Sequence, residues 1–480
     1  CPPFNMSNTV GNPFDNPCIN TGDTTWVLVS TVLVLTMFGG LAFFEAGLLR
    51  SKNTQSIIMQ VMAGMVVLGF MWDVVGYSLT FGTDHGGVIG DFKNAFLLGV
   101  NYNECSPHAP SIPAALYALF MMMFAAITPL LMTGSIAERI NWSSFLILIV
   151  AWEVLVYYPL AHWIWGGGWL DKMGVQDFAG GIVIHTSAGA GSLVLSIMLG
   201  RRKQFDKYHG EFPPSNLPLA AIGTCMLWGG WFGFNAGSAL TSGAIATSTL
   251  ASTQLAAVTS GTVWLVASWI RNKPSSIMVM VGIVAGLAGI TPASGYINDQ
   301  SALVIGLIIG GASYFSMWFV KAKLRIDDAL DVISVHGLPG VIGSIAIGFC
   351  SEKVLNPAAA DGLVFHGSAR LLGVQILAIV VTIAYTSVVT FAIAVILKYT
   401  IGLRVSEEEE EQGLDLASHG EYAYHNLWMM EGSEIRVAAT HHGHYDINNS
   451  SPMGLPPSIL TEESPLLDRG DSGPAPKAFA

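Results

Sequence analysis

Asp177-Phe178-Ala179-Gly180-Gly181-Ile182-Val183-Ile184-His185-Thr186-Ser187-Ala188-Gly189 has a second copy of its pattern near residue 330. In Asp328-Ala329-Leu330-Asp331-Val332-Ile333-Ser334-Val335-His336-Gly337-Leu338-Pro339-Gly340, an Asp again precedes a His by eight positions and a Gly again follows the His by four. An earlier pair agrees: Gly39-Gly40-Leu41-Ala42-Phe43-Phe44-Glu45-Ala46-Gly47 matches Gly229-Gly230-Trp231-Phe232-Gly233-Phe234-Asn235-Ala236-Gly237 at five of nine positions. Each half of the chain therefore runs from a Gly-rich aromatic segment to a histidine segment.

Of 480 residues, 52% are hydrophobic and 11% charged, and the mean hydropathy is +0.53. Such a chain is too apolar for an ordinary soluble domain and belongs in a membrane. The net charge of -12 is concentrated in good part in the C-terminal tail and carries no signal for nucleic acid. Cys1, Cys18 and Cys105 lie outside the apolar stretches, without metal-ligand spacing. A Cys1–Cys18 disulfide is compatible with an extracellular N-terminus, but three such cysteines cannot all pair within one chain, so the connectivity stays open. The chain starts at Cys rather than Met, which fits a removed signal segment or an incomplete chain.

A spanning helix needs about 20 mainly apolar residues. Eleven stretches qualify, at roughly 25–49, 56–82, 112–137, 143–164, 178–200, 217–238, 246–270, 276–294, 301–320, 332–350 and 371–399. Alternating connections carry twelve Lys and Arg between Arg50 and Arg325, with Arg404 beyond, whereas the opposite connections carry only Lys93, Lys172, Lys353 and Arg370. That bias puts the N-terminus outside and the C-terminus in the cytoplasm; Asn5-Met6-Ser7 is then a glycosylation acceptor in a eukaryote. The second half begins at the sixth span, so the halves face opposite ways. The expected fold is an all-α integral membrane protein with a five-plus-five inverted repeat and an extra C-terminal helix. Its pseudo-two-fold axis lies in the membrane plane, which makes His185 and His336 neighbours near the bilayer midplane.

A histidine inside a span is costly unless it faces protein or a water-filled path, and two at repeat-equivalent positions point to function. The plainer reading is a helix-packing hydrogen bond. Burial disfavours imidazolium, so each ring is expected neutral, with one donor and one acceptor nitrogen. Asp177 and Asp328 precede the two histidine spans, where a carboxylate caps helix N–H groups; Asp177 is read as architectural support beneath a cation-attracting vestibule. Trp165 precedes Gly166-Gly167-Gly168 at the outer end of span four and offers an indole face to a cation, although an interfacial tryptophan is the commoner reason for that placement. Phe234 and Ser238 lie one helical turn apart at the outer end of span six. A hydroxyl acceptor beside aromatic faces suits a small cation. Glu45, Asp73 and Glu153 are acids within spans one, two and four, without partners legible in the sequence.

Together these segments resemble the ammonium transporter family, Amt/Mep/Rh, and its Amt branch more closely than the Rh glycoproteins. The likeness spans about residues 20–424 and rests on five motifs: Asp177 to His185, Gly230 to Ser238, Gly289-Ile290-Thr291-Pro292-Ala293-Ser294-Gly295-Tyr296, Asp331 to Gly337, and Gly413-Leu414-Asp415-Leu416-Ala417-Ser418-His419-Gly420. The resemblance implies an eleven-helix subunit of a homotrimer in the plasma membrane. It implies an outer ammonium site of Trp165, Ser238 and Phe124, a gate of Phe124 stacked on Phe234, and a hydrophobic pore lined by His185 and His336. Phe124 is placed by its position in Phe120-Met121-Met122-Met123-Phe124-Ala125-Ala126-Ile127, upstream of Ala137-Glu138-Arg139. Ammonium would shed its proton at the gate and cross as ammonia, with or without a coupled proton; methylammonium would serve as an analogue.

By the same resemblance Gly413, Asp415, His419 and Gly420 belong to a cytoplasmic regulatory tail, which in bacterial members meets nitrogen-status signal proteins. Ala417 stands where plant members carry a phosphorylatable Thr, with Ser418 adjacent. The expected organisation is a leader to residue 24, the transporter domain over 25–402, the regulatory region over 403–424 and a low-complexity tail over 425–480. No cofactor and no enzymatic activity are expected, because no nucleophile–base constellation stands outside the spans. The competing class is an ammonium sensor that keeps the same fold and site.

Overall fold

The computed structural model describes residues 16–424; Cys1, Asn5 and the low-complexity tail lie outside the described residues. Among the described residues ten helices are long and apolar enough to cross a membrane, and α8 is a shorter apolar helix: α1 (Thr21–Leu48), α2 (Ser51–Phe81), α3 (Ala114–Ile136), α4 (Trp142–Met173), α5 (Gly181–Leu199), α6 (Leu217–Gly237), α7 (Ala244–Arg271), α8 (Ser276–Ile290), α9 (Asp299–Lys323), α10 (Ile333–Cys350) and α11 (Ala369–Thr400). Side chains set many of the starts: Asn20, Asn141, Asn216 and Asn298 each accept a hydrogen bond from a first-turn backbone N–H. Helix α8 ends at Ile290 rather than near 294: Thr291 still has helical angles, but Pro292 after it has no N–H to continue the ladder.

The repeat seen in the sequence is also a packing rule. Helices α1 and α6, which carry the two Gly-rich segments, lie almost backbone to backbone. A Cβ on Gly47 would fall 2.5 Å from Ala220 N, and one on Gly223 would fall 2.2 Å from Phe44 N. The histidine helices do the same. A Cβ on Gly189 would lie 2.2 Å from Gly337 Cα, and one on Gly340 would lie 3.0 Å from Thr186 N. In each contact the Gly four residues after one His meets the residue just after the other, as a two-fold axis between α5 and α10 requires. Only small residues permit this approach.

Large apolar side chains such as Val32, Val66, Phe70, Val380 and Val388 are more than half exposed on the outer surface of the bundle, as a lipid-facing surface demands. At one end, a short antiparallel pair, β1 (Cys105–Ser106) and β2 (Ala109–Pro113), is tied to the start of α1 by a Cys18–Cys105 disulfide. This pairing replaces the Cys1–Cys18 alternative: the loop between α2 and α3 folds back over the N-terminus of α1, and Asn20 N donates to Ser111 O at 2.8 Å.

The opposite end is the basic one, and its charges are not all on the surface. Glu138 pairs with Arg50 at 2.8 Å and with Arg202 at 2.9 Å, while Asp327 pairs with Arg202 at 2.8 Å and Arg139 at 2.7 Å. Arg139 and Arg202, which count toward the positive connections in the sequence, are buried in this network. It stitches the α3–α4 connection to those after α1, α5 and α9. Glu138 adopts a left-handed φ of 69°, a strained conformation for a side-chain-bearing residue. Burial alone would raise its carboxyl, but the guanidiniums of Arg202 and Arg50 hold it down at about 2 against 4.5 unpaired. The depressed value makes its contribution fully present above pH 4.5 and lost as pH falls toward 2. Removing one member of a buried pair costs about 3–5 kcal/mol. Glu138→Gln is therefore expected to lower the melting temperature in detergent at pH 7, and the gap to the parent should narrow as pH falls below 4.5.

Candidate functional site

From the disulfide-bearing face, a polar vestibule of about 440 Å³ opens between α3, α4, α6 and the loops before α5 and after α10. Trp165, Phe124, Ser238, Asp177 and Tyr296 all line it. The Trp165 ring is held edge-on by its Nε1–H, which donates to Asp177 O at 2.8 Å. The Ser238 hydroxyl donates to Phe234 O at 2.8 Å, so its proton is spent on the helix and its oxygen lone pairs remain as acceptors. Asp177 does not point a free charge at the cavity. Its carboxylate accepts from the backbone N–H of Gly180, Gly181, Ile182 and Val183 at 2.6–3.1 Å, which fixes the start of α5. Asp328 does the matching job at α10, accepting from Ile333 N and from Ser135 Oγ at 2.7 Å each.

Phe124 and Phe234 close the floor of the vestibule. Their rings stack with centroids 4.1 Å apart and 17° between planes, and Trp165 meets Phe124 edge-on at 6.5 Å. Beneath the pair lies a narrow lumen of about 30 Å³, room for about two molecules the size of water. Apolar side chains from α1, α3, α6, α8 and α10 line it, with His185, His336 and Glu45 as its polar groups. The two Nδ1 atoms stand 3.2 Å apart, a hydrogen bond in which one nitrogen donates and the other accepts according to the tautomers. Trp231 stacks on His185 at 5.5 Å, and His185 Nε2 has no partner of its own.

Both histidines sit in a single π turn, Gly181–Thr186 in α5 and Ile333–Gly337 in α10. Wider turns of this kind are rare and recur at functional sites. Nothing in the apolar spacing of either helix announces them. The sequence also left the partner of Glu45 unread: Thr133 Oγ1 donates to Glu45 Oε2 at 2.8 Å across α1 and α3. His162 lies one helical turn before Trp165. It proves to brace the vestibule wall, with Nδ1 2.8 Å from Thr80 O and Nε2 3.0 Å from Asp84 Oδ1.

The tail residues assemble on the basic face. Two short helices, α12 (Glu407–Gln412) and α13 (Leu414–His419), follow α11, and the acidic run that opens the tail is therefore helical. Gly413 has a φ of 102° and passes so close to Lys52 that a Cβ would lie 2.6 Å from Lys52 O. Asp415 Oδ1 accepts from Ser56 N at 2.7 Å at the start of α2, and Asn53 Oδ1 accepts from Leu414 N at 2.8 Å. His419 packs edge-on against Trp142 at 4.8 Å, and Gly420 ends α13 in the left-handed region.

This is a polytopic membrane protein of the inverted-repeat transporter type, with a polar vestibule separated from a narrow lumen by stacked aromatic rings. The chain belongs to the Ammonium Transporter Family, whose model it matches over residues 25–424. It is 58% identical over 424 residues to "Ammonium transporter 1" of Dictyostelium discoideum, covering 88% of this chain and 91% of that protein. Ammonium transporter Amt1 of Archaeoglobus fulgidus is 41% identical, with 85% of this chain and all of that protein covered. Among solved structures, Candida albicans Mep2 superposes with a TM-score of 0.77 at 31% identity, covering 86% of this chain and 92% of that one. A structure titled "Sensor Amt Protein" superposes at 0.75 and 29% identity, covering 83% and 98%.

Two outcomes test this geometry. Gly189→Val forces α5 away from α10 and is expected to cost about 1–3 kcal/mol of stability, read as a lower unfolding temperature of the purified protein. Burial raises the Asp415 carboxyl from 3.8 to about 6. The docked tail therefore binds more protons than the released one, so docking is fully supported below pH 3.8 and weakens as pH rises through 6. Amide exchange across α12 and α13 should be slower at pH 5 than at pH 7.5 after correction for intrinsic rates, and Asp415→Asn should flatten that difference.

Proposed function

We propose that the chain is an ammonium transporter of the plasma membrane, in which Trp165, Ser238 and Phe124 take ammonium from the vestibule. The vestibule and the disulfide face outward and the basic face lies in the cytoplasm. Phe124 and Phe234 form the gate, where ammonium gives up a proton, and ammonia passes down the lumen past His185 and His336. Potassium matches ammonium in size and charge but has no proton to leave behind, so a lumen too narrow and apolar for a hydrated ion selects against it. The histidine pair either holds ammonia by its donor and acceptor nitrogens or relays the proton, so transport proceeds with or without coupled charge.

The observation that carries this reading is the stacked Phe124–Phe234 pair, which stands between a cavity of about 440 Å³ and one of about 30 Å³. Asp177 supports the site from behind, and no enzymatic step is assigned. Methylammonium is the expected analogue, the working unit a homotrimer, and the tail from Gly413 to Gly420 the regulatory element that meets a nitrogen-status signal protein. We place the transporter domain over residues 25–402 and the regulatory region over 403–424. The likeness to a protein titled a sensor sustains the second reading, in which the same fold binds ammonium and signals without conducting.

Ammonium-driven current and labelled methylamine uptake in reconstituted liposomes separate the two. The parent should show uptake, and His185→Ala with His336→Ala should reduce the current by at least about tenfold or admit potassium. Ammonium binding by a parent that moves neither charge nor methylamine would instead establish the sensor.

A further inference from the structure

Glu153 is an anomaly that transport through the lumen does not use. It lies within α4, fully buried, and its carboxyl meets the Tyr158 hydroxyl. The Tyr157 hydroxyl and Asp73 Oδ1 are buried without a hydrogen-bond partner. Buried polar atoms are nearly always satisfied, and an ionisable residue inside a span is a functional candidate by default. Four polar side chains in one place call for a common explanation.

The backbone marks the same place. Glu153–Tyr157 forms a π turn in α4, and Trp72–Gly76, which carries Asp73, forms one in α2. The two turns face each other: the Tyr158 hydroxyl lies over Gly76, where a Cβ would come within 2.5 Å of it. Tyr158 also faces the Glu153 carboxyl and stands within electrostatic reach of Asp73. On the other side, Tyr157 feels Glu153, Tyr117 and Asp177, and the last two line the vestibule. From α11, Tyr385 approaches but spends its hydroxyl on Leu155 O at 2.7 Å. The acids and phenols therefore form a chain from beneath the vestibule to α2, apart from the histidine lumen.

Glu153, Tyr157 and Tyr158 line neither the vestibule nor the lumen, so no space for a hydrated ion adjoins them there. A proton needs no cavity. The fully buried Glu153 carboxyl rests as the neutral acid, whereas Asp73 is only partly buried and is the group that can hold the charge.

We propose that Glu153 is a proton-exchanging site of this protein, which releases its proton toward Asp73 when a cation occupies the vestibule and recovers it when the cation leaves. The proposal rests on the transport reading above. In the step, the Glu153 O–H bond breaks as the Tyr158 oxygen takes that proton, and the Tyr158 hydroxyl proton passes to the Asp73 carboxylate. One carboxylate forms and one is neutralised, with no change in oxidation state. Glu153 touches neither the cation nor the lumen; it acts through the charge it places beneath the vestibule, as a positioning group for the cation.

The test uses infrared difference spectra of the purified full chain with and without ammonium, beside ammonium-evoked currents between pH 5 and 8. On adding ammonium, the parent should exchange one carbonyl band of a protonated carboxylic acid for another, the Glu153 band falling as an Asp73 band rises. Glu153→Gln, which keeps shape and neutrality but exchanges no proton, should abolish that change, lower the current several-fold and flatten its pH profile. A Gln variant with the parent's pH profile, or a parent without the carbonyl change, overturns the proposal. Should Glu153→Gln fail to fold, Tyr158→Phe removes the hydroxyl beside the carboxyl and is judged by the same two readouts. A parent that carries no current defeats the transport reading, and the carbonyl band then decides Glu153 separately.

Discussion

The contact between Gly189 and Gly337, repeated as Gly340 against Thr186, is the constraint on which the centre of this molecule depends. Two helices can bring imidazoles 3.2 Å apart only if their backbones nearly touch, and backbones nearly touch only where side chains are absent. The π turns supply the second half of the geometry. Each widens its helix by one residue at the histidine and re-aims the ring toward the axis, while Asp177 and Asp328 hold the helix starts so that the turns cannot slide. Close packing sets the distance and the capped ends set the register.

Charge is handled by a different rule at each depth. At the basic face, Glu138 and Asp327 balance three guanidiniums, and a network of this kind is favourable only when every member keeps its partners. It ties four connections together just where the tail docks: Lys52 Nζ donates to Glu410 O at 2.8 Å and Arg404 pairs with Glu410 at 2.6 Å. The tail thus sits on the same rigid platform that anchors α2, α4 and α10. Within the bundle these polar groups are met by hydrogen bonds instead of ion pairs, at Glu45 from Thr133 and at the histidines between the two rings.

Much of this was legible in the sequence. Apolar length located the ten long helices and the shorter α8, most to within a few residues, although α4 runs on to Met173 rather than 164; the repeated Asp-to-His spacing placed two histidines at one axis. Phe124 became a site residue only through resemblance, since its surroundings, Met121-Met122-Met123, read as ordinary apolar helix. The unread features share a physical cause: they depend on partners distant in the chain. Arg139 and Arg202 look like loop charges until Asp327 appears 188 and 125 positions away. Cys18 finds Cys105 across 87 residues rather than Cys1. The π turns leave no trace in apolar periodicity, because one extra residue in a helix that is apolar on every side moves nothing polar into view.

The size step between vestibule and lumen bears on what the aromatic floor has to do. A cavity of about 440 Å³ with polar walls keeps a cation partly hydrated, whereas one of about 30 Å³ with apolar walls admits a solute only after its water has gone. The cost of that loss scales with charge, several kcal/mol for an ion and far less for a neutral amine. Stacked rings at the boundary are therefore suited to a solute that changes its charge between the two cavities. A fixed ion finds the same boundary a barrier, and in the transport we propose the acceptor oxygen of Ser238 and the face of Trp165 stand on the side where the charge still exists.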